Sequence, residues 1–308
     1  MPESRRVEFL MGVTILIRRN IFVALIVLAV SVAIFSGVDA KSEAQWRLDG
    51  TSSADLPRNF RMIDDLRAAA GAQPSQAALQ TIYDKLHAAN PNAKIFIIDL
   101  RQETHGYVNS LPVSLHVKHN AINAGKSVAE IEREESKCLK DLRGVETTFK
   151  PMGNADTKIL KPVTIVPRFI ETERVAAEKI GFEYVRFAAA DMQFPAPEVV
   201  DDIISFIANL PADAMMYVHC HAGHGRTTTF LVMCELMRNP DASLEEICQR
   251  QKDLGGSDIL EEPDGKDWNA RMARDRAQKI RLFQEFVRGT RAEQIGLTWS
   301  EWLKEKDR

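Results

Sequence analysis

Ala214-Met-Met-Tyr-Val-His219-Cys220-His-Ala-Gly-His-Gly-Arg226-Thr227 joins a short apolar run to an apolar helical pattern. Residues 214–219 read as a buried strand, and 227–237 as the helix after it, stopped by Asn239-Pro240. The connecting loop is His221, Ala222, Gly223, His224 and Gly225. Its glycines let successive backbone N–H groups turn inward and form a nest for a tetrahedral dianion. The helix N-terminus adds roughly half a positive charge at the same point. Arg226 offers a planar fork for two further oxygens. These groups favour a thiolate at Cys220, and the Thr227 hydroxyl can donate to that sulfur. His219 is better placed to hydrogen-bond the loop than to act as a base. A lone cysteine is usually a buried hydrophobe and a lone arginine a solvated group, but here six meaningful positions meet at one strand-to-helix junction. The histidines around Cys220 also raise zinc, yet their spacing is too tight for separated ligand pairs. Neither a metal nor a cofactor is expected.

Outward from this junction, strands and helices alternate. Strands are expected over 163–169 and 184–190, and helices over 171–180 and from Pro197, where Val200, Ile203, Ile204 and Ile207 share one face. That alternation argues for an α/β fold with a central sheet flanked by helices. Upstream, 46–61 reads as irregular, 76–87 as a helix, and 95–101 as a buried strand. Polar, turn-rich sequence then runs to Asn123, followed by a helix over 127–142. Helices are also expected over 243–254 and 268–288. Transfer of a phosphoryl group to sulfur needs a proton for the departing oxygen. Asp191, at the end of the 184–190 strand and before the stiff Phe194-Pro195-Ala196-Pro197, is the candidate donor.

The first 40 residues differ in character. Arg18 and Arg19 precede an apolar run over 21–35, and Val38 and Ala40 are small residues before Lys41. This is the pattern of a signal peptide cleaved before Lys41, giving an exported, periplasmic or secreted protein over 41–308. A retained N-terminal anchor is the alternative, although the run is shorter than the roughly 20 residues that span a bilayer. Cleavage would remove four arginines and three acids, moving the net charge from −3 to −4. A mildly acidic protein is no general polyanion binder; nucleic acid is not an expected partner, and any attraction for phosphate is local. Of the remaining cysteines, Cys138, Cys220, Cys234 and Cys248, Cys234 falls on an apolar helix face, and no disulfide framework is visible.

Cys220-x5-Arg226-Thr227 resembles the signature of the protein tyrosine phosphatase superfamily. A fuller match is to the protein-tyrosine-phosphatase-like phytases. It runs through Trp46-Arg-Leu-Asp49, Leu56-Pro-Arg-Asn-Phe-Arg61, Asp99-Leu-Arg-Gln-Glu-Thr-His-Gly-Tyr107, Arg186-Phe-Ala-Ala-Ala-Asp191, residues 219–228, Arg250-Gln251 and Trp299-Ser-Glu-Trp-Leu303. The resemblance implies a phosphatase core with a five-stranded sheet and a small, trimmed inserted domain. It implies a small polyphosphorylated substrate of the inositol polyphosphate class, with Cys220 as nucleophile, Arg226 as phosphate binder and Asp191 as general acid. Arg61 would contact substrate phosphates at the pocket rim. Arg271 and Arg274, three apart on one helix face, and Lys126 are further rim candidates. His221 and His224 would meet extra phosphates or stabilise the loop, and His105 is as readily structural. Met192 stands where the phytases carry a histidine after the acid, which bears on substrate recognition rather than chemistry. The rival readings are a tyrosine or dual-specificity phosphatase, a phosphoinositide phosphatase, and a non-catalytic phosphate-binding module.

Overall fold

The computed structural model describes residues 44–293 and 296–306. The expected signal segment, its apolar run and the cleavage point before Lys41 lie outside the described residues. Among the described residues no helix is long and apolar enough to cross a membrane.

The strand Met215–His219, buried at every residue, is central in a five-stranded sheet. It pairs in parallel with Ile95–Arg101 on one side and Ala68–Gly71 on the other. Glu183–Ala189 extends the sheet in parallel beyond Ile95–Arg101, and Arg61–Ile63 closes the opposite edge antiparallel. Strands covered on both faces are mostly apolar, which is why Ile95–Ile98 and Met215–Val218 are visible as apolar runs, with the polar residues Asp99, Arg101 and His219 at their carboxyl ends. Phe230, Leu231 and Val232 of the helix Gly225–Arg238 share one core cluster with Ile98, Val218, Phe283 and Trp299. Leu79, Ile82 and Leu86 of Gln76–Ala89 join Ile97 and Tyr217 in another. Each such burial contributes about 1.5–3 kcal/mol. Ser127 caps Val128–Lys140 in a reciprocal capping box with Glu130. Pro197 opens Pro197–Asn209 in its first turn, as expected.

Residues 49–60 are irregular as expected, but parts of the irregular and turn-rich stretches are strands. Gln45–Leu48, Leu111–His116, His105–Val108 and Ile170–Glu171 form a second, four-stranded antiparallel sheet. Its buried residues include Arg47, His105 and Ser114, so what reads as polar loop is a buried ionic face. The strand expected over 163–169 ends at Ile165, because Pro167 cannot donate to a ladder. It pairs with Thr147–Phe149 and stands outside the main sheet. The helix expected from Glu171 starts at Glu173, capped by the Thr172 side chain. None of the four cysteines is in a disulfide, and Cys234 is buried as expected.

Candidate active site

Cys220 follows the last residue of the central strand and is 4% exposed. This is the carboxyl end of a parallel sheet, where α/β folds place their ligands. The loop then turns at Gly223, whose φ is +73°. A Cβ there would lie 2.3 Å from the Gly71 carbonyl carbon, so only glycine lets the loop settle onto the neighbouring strand end. The helix Gly225–Arg238 begins two residues later and turns its N-terminus toward the loop.

Arg226 is buried beneath this loop and its orientation is imposed. Nη1 donates to Glu103 Oε2 at 2.7 Å and Nη2 to Glu103 Oε1 at 3.0 Å, a bidentate pair. Nη1 also reaches the Leu100 and Ala189 carbonyls, and Nη2 lies 3.1 Å from Asp191 Oδ1. Nε has no protein partner, which leaves a buried donor for a ligand oxygen. Burial alone would lower the guanidinium, but Asp191 and Glu103 outweigh it and hold its pKa well above the ordinary value. Glu103 is in turn fixed by Arg101 Nε at 2.9 Å, and Arg101 and Arg47 both bind Asp49. Burial would raise Glu103, yet Arg226 and Arg101 hold it well below its usual range.

Asp191 lies just past the end of Glu183–Ala189, on the neighbouring strand-end loop as expected. Phe194 packs that loop down, 4% exposed and 6.2 Å from the Trp299 ring. Burial pushes the Asp191 carboxyl up, but Arg226 pulls it further down, below its ordinary value. Met192 takes φ +63° and donates its N–H to Asp191 Oδ1 at 3.0 Å.

Several expected contacts are otherwise. His219 is fully buried with both ring nitrogens unpartnered; Nε2 faces Glu173 Oε2 at 3.4 Å and makes no bond to the loop. The Thr227 hydroxyl is buried without a hydrogen bond, so it does not donate to sulfur in this state. Arg61 is not at the rim: it is 5% exposed and donates to the Gly223 carbonyl at 2.9 Å, bracing the loop from beside Cys220. Lys126 is engaged by Asn123 at 3.2 Å and paired with Glu134. Arg274 pins the Pro263 and Gly265 carbonyls, and Arg271 is exposed. Residue 276 instead places the helix Trp268–Glu293 against the loop. Arg276 is 5% exposed, and its Nη1 would lie 2.8 Å from a Cβ on Gly225. Its helical spacing with Ala273, Ala277 and Ile280 was the signal the sequence offered, and all four are buried.

Of the loop histidines, His221 binds Asp156 at 2.9 Å, and Asp156 binds Arg58 at 2.7 Å. His224 is exposed and meets Asn59 at 2.9 Å, while Asn59 also holds the Ala222 carbonyl. Beside the loop lies a cleft of about 540 Å³ lined by Arg58, Asn59, Asn154, Asp156, His221 and His224. Asp99, His105 and Glu173, buried below, have ligand-type atoms within 4.8 Å of one another. Tyr184 and Arg186 already occupy Asp99 Oδ2, and His105 bonds Glu173 at 2.9 Å and the Glu103 carbonyl at 2.9 Å. Protein groups thus satisfy this trio as an ion-pair network, with His105 structural.

The family model for protein-tyrosine-phosphatase-like phytases, described by inositol hexakisphosphate, matches residues 98–238. The chain is similar to a protein-tyrosine-phosphatase-like phytase structure from Bdellovibrio bacteriovorus, with 30% identity and TM-score 0.71. That match covers 84% of this chain and 94% of the other. A tandemly repeated phytase of the same type from Mitsuokella multacida gives 31% identity and TM-score 0.78, over 84% of this chain and 49% of that one. Such a Mitsuokella enzyme has been solved with myo-inositol-(1,3,4,5)-tetrakisphosphate. The effector protein hopD2 of Pseudomonas syringae pv. tomato is 27% identical over 231 residues, 70% of this chain and 47% of that protein. The chain therefore spans about half the length of hopD2 and of the Mitsuokella protein.

Proposed function

Because this chain belongs to the protein-tyrosine-phosphatase-like phytases, we propose that it is an exported phosphatase hydrolysing inositol polyphosphates through a phosphocysteine intermediate. One observation carries the reading. Cys220 opens a glycine-bearing loop at the sheet's carboxyl end, close to a buried Arg226 that Glu103 holds by two hydrogen bonds with Nε left open.

In this mechanism the loop amides and Arg226 hold the phosphate, and the Cys220 thiolate attacks phosphorus. The S–P bond forms as the P–O bond to the inositol breaks, and Asp191 passes its proton to the departing oxygen, releasing an alcohol. The resulting carboxylate then takes a proton from water, whose oxygen attacks phosphorus. The S–P bond breaks, inorganic phosphate leaves, and the thiolate returns. Asp191 must be protonated to begin. A phosphate dianion bound beside the carboxyl repels its negative charge, works against the pull of Arg226 that lowers it in the free site, and so favours the protonated acid.

Arg58, His224 and the cleft beside the loop give the additional phosphates of a polyphosphate somewhere to go. The tetrakisphosphate complex of the Mitsuokella relative supports that substrate class. Phosphotyrosine is a second reading with one observation in its favour. His119 stacks on Trp268 at 4.1 Å, next to Asn120, which bonds Asp191; the pair supplies an aromatic surface near the acid. Initial rates on inositol hexakisphosphate, a phosphotyrosine peptide and a phosphoinositide, compared in metal-free buffer, test the proposal. Inositol hexakisphosphate is expected to be the fastest; a faster phosphotyrosine peptide would replace the reading.

A further inference from the structure

The carboxyl of Asp191 is held from both sides. Oδ1 faces two donors, Arg226 Nη2 at 3.1 Å and the Met192 N–H at 3.0 Å. Oδ2 accepts one hydrogen bond, from Asn120 Nδ2 at 3.1 Å. Asn120 is 2% exposed and comes from a segment 71 residues upstream, Lys118–Asn120, that follows the second sheet. His116 Nδ1 lies 3.0 Å from Asn120 Oδ1, which fixes the amide so that its NH2 end turns to Asp191.

The backbone that presents Asn120 is unusual. His119, Asn120 and Asn123 all lie in the left-handed region, with φ of 58°, 55° and 70°. Such conformations persist only where surrounding contacts over-determine them, and they gather at functional sites. Those contacts are present. The His119 ring stacks on Trp268, and Asn123 donates to the Gln102 carbonyl at 3.1 Å and to Thr104 Oγ1 at 3.0 Å. Gln102 returns a bond to the Ile122 carbonyl at 3.1 Å.

We propose that Asn120 is the positioning residue of the general acid. With two donors on Oδ1, the acid proton resides on Oδ2, and Asn120 sets the rotation of the carboxyl so that the Oδ2–H points at the departing oxygen. The inference rests on the reading of Asp191 as the proton donor. It adds that the second sheet's following loop, and not the Asp191 loop alone, completes the acid.

The test compares kcat on inositol hexakisphosphate, whose leaving group needs a proton, with para-nitrophenyl phosphate, whose leaving group scarcely does. Asn120→Gly removes the amide while keeping the left-handed backbone accessible. It is expected to lose roughly 10- to 100-fold on the inositol substrate with KM little changed, and to lose far less on the aryl substrate. In an Asp191→Asn background the same substitution is expected to add less than about twofold, because the group it positions is gone. Asn120→Asp, which keeps the side-chain shape but replaces the donor, supplies the same comparison should the glycine variant fail to fold. Equal losses on both substrates in the Asn120 variants, while Asp191→Asn separates them, would show that Asn120 only supports the fold. If Asp191→Asn itself does not separate the substrates, the assignment of the acid fails, and the role of Asn120 falls with it.

Discussion

Replacing Glu103 by Gln tests how Arg226 is aimed. Glu103 is fully buried and faces three cations: Arg226 at 2.7 and 3.0 Å, Arg101 at 2.9 Å and Arg47 at 4.0 Å. Breaking a buried ion pair by removing one partner costs about 3–5 kcal/mol. Here Asp191 remains 3.1 Å from Arg226 and Asp49 remains 2.9 Å from Arg101, so compensation is partial. That places E103Q at the lower end, about 3 kcal/mol. For a domain of this size the unfolding midpoint should fall by about 6–12 °C. Thermal unfolding followed by circular dichroism reads the stability, and kcat/KM on para-nitrophenyl phosphate reads the guanidinium, which loses one of its two fixed bonds. A midpoint within about 2 °C of the parent together with unchanged kcat/KM would refute the idea that Glu103 sets Arg226.

Three further outcomes follow from the same structure. Glu103 and Asp99 have folded pKa values below their ordinary ones, Asp99 at about 2, because neighbouring cations outweigh the effect of burial. The unfolded chain therefore binds more protons in acid, so stability is intact above about pH 4.5 and declines as pH falls toward 2; urea midpoints across that range measure it, and a flat profile would contradict the assignment. Arg58→Ala should raise KM for inositol hexakisphosphate, more at low salt than high, and leave para-nitrophenyl phosphate nearly unchanged, whereas the pair Arg271→Ala and Arg274→Ala should leave both substrates alike. We also propose that the natively exported protein begins at Lys41; intact mass decides this, and a membrane-bound form retaining 21–35 would favour an anchor.

The Cys220–Arg226 loop was legible because its signal is local: cysteine, glycines and arginine fall within eight residues between an apolar strand and an apolar helix. The place of Asp191 was legible because it directly follows an apolar strand, and it stands on the strand-end loop beside Arg226, 3.1 Å away. The second sheet was hidden for the opposite reason. Its strands are short, and Arg47, His105 and Ser114 are buried in them because each meets a partner from a distant stretch, as Arg47 meets Ser114 across 67 residues. A pattern that equates charge with exposure turns such strands into loops. The same habit sent Arg61 to the rim, although it braces Gly223 from inside. Arg276 lies on the buried face with Ala273 and Ala277, where a pattern that equates charge with exposure gives it no place, whereas Arg271 and Arg274 fit that pattern. Asn120 had no local signal: its meaning comes from His116 on one side and Asp191 on the other.

The claim on which the rest depends is that Cys220 carries the phosphoryl group. Burial raises Cys234 and Cys248 to about 12, which keeps those thiols protonated and unreactive at neutral pH. Acid quenching during rapid turnover, followed by peptide mass spectrometry, should find one phosphoryl group on the peptide bearing Cys220, and none in Cys220→Ser, which still binds vanadate but does not turn over. A phosphoryl group on any other residue, or turnover retained by Cys220→Ser, would contradict the account.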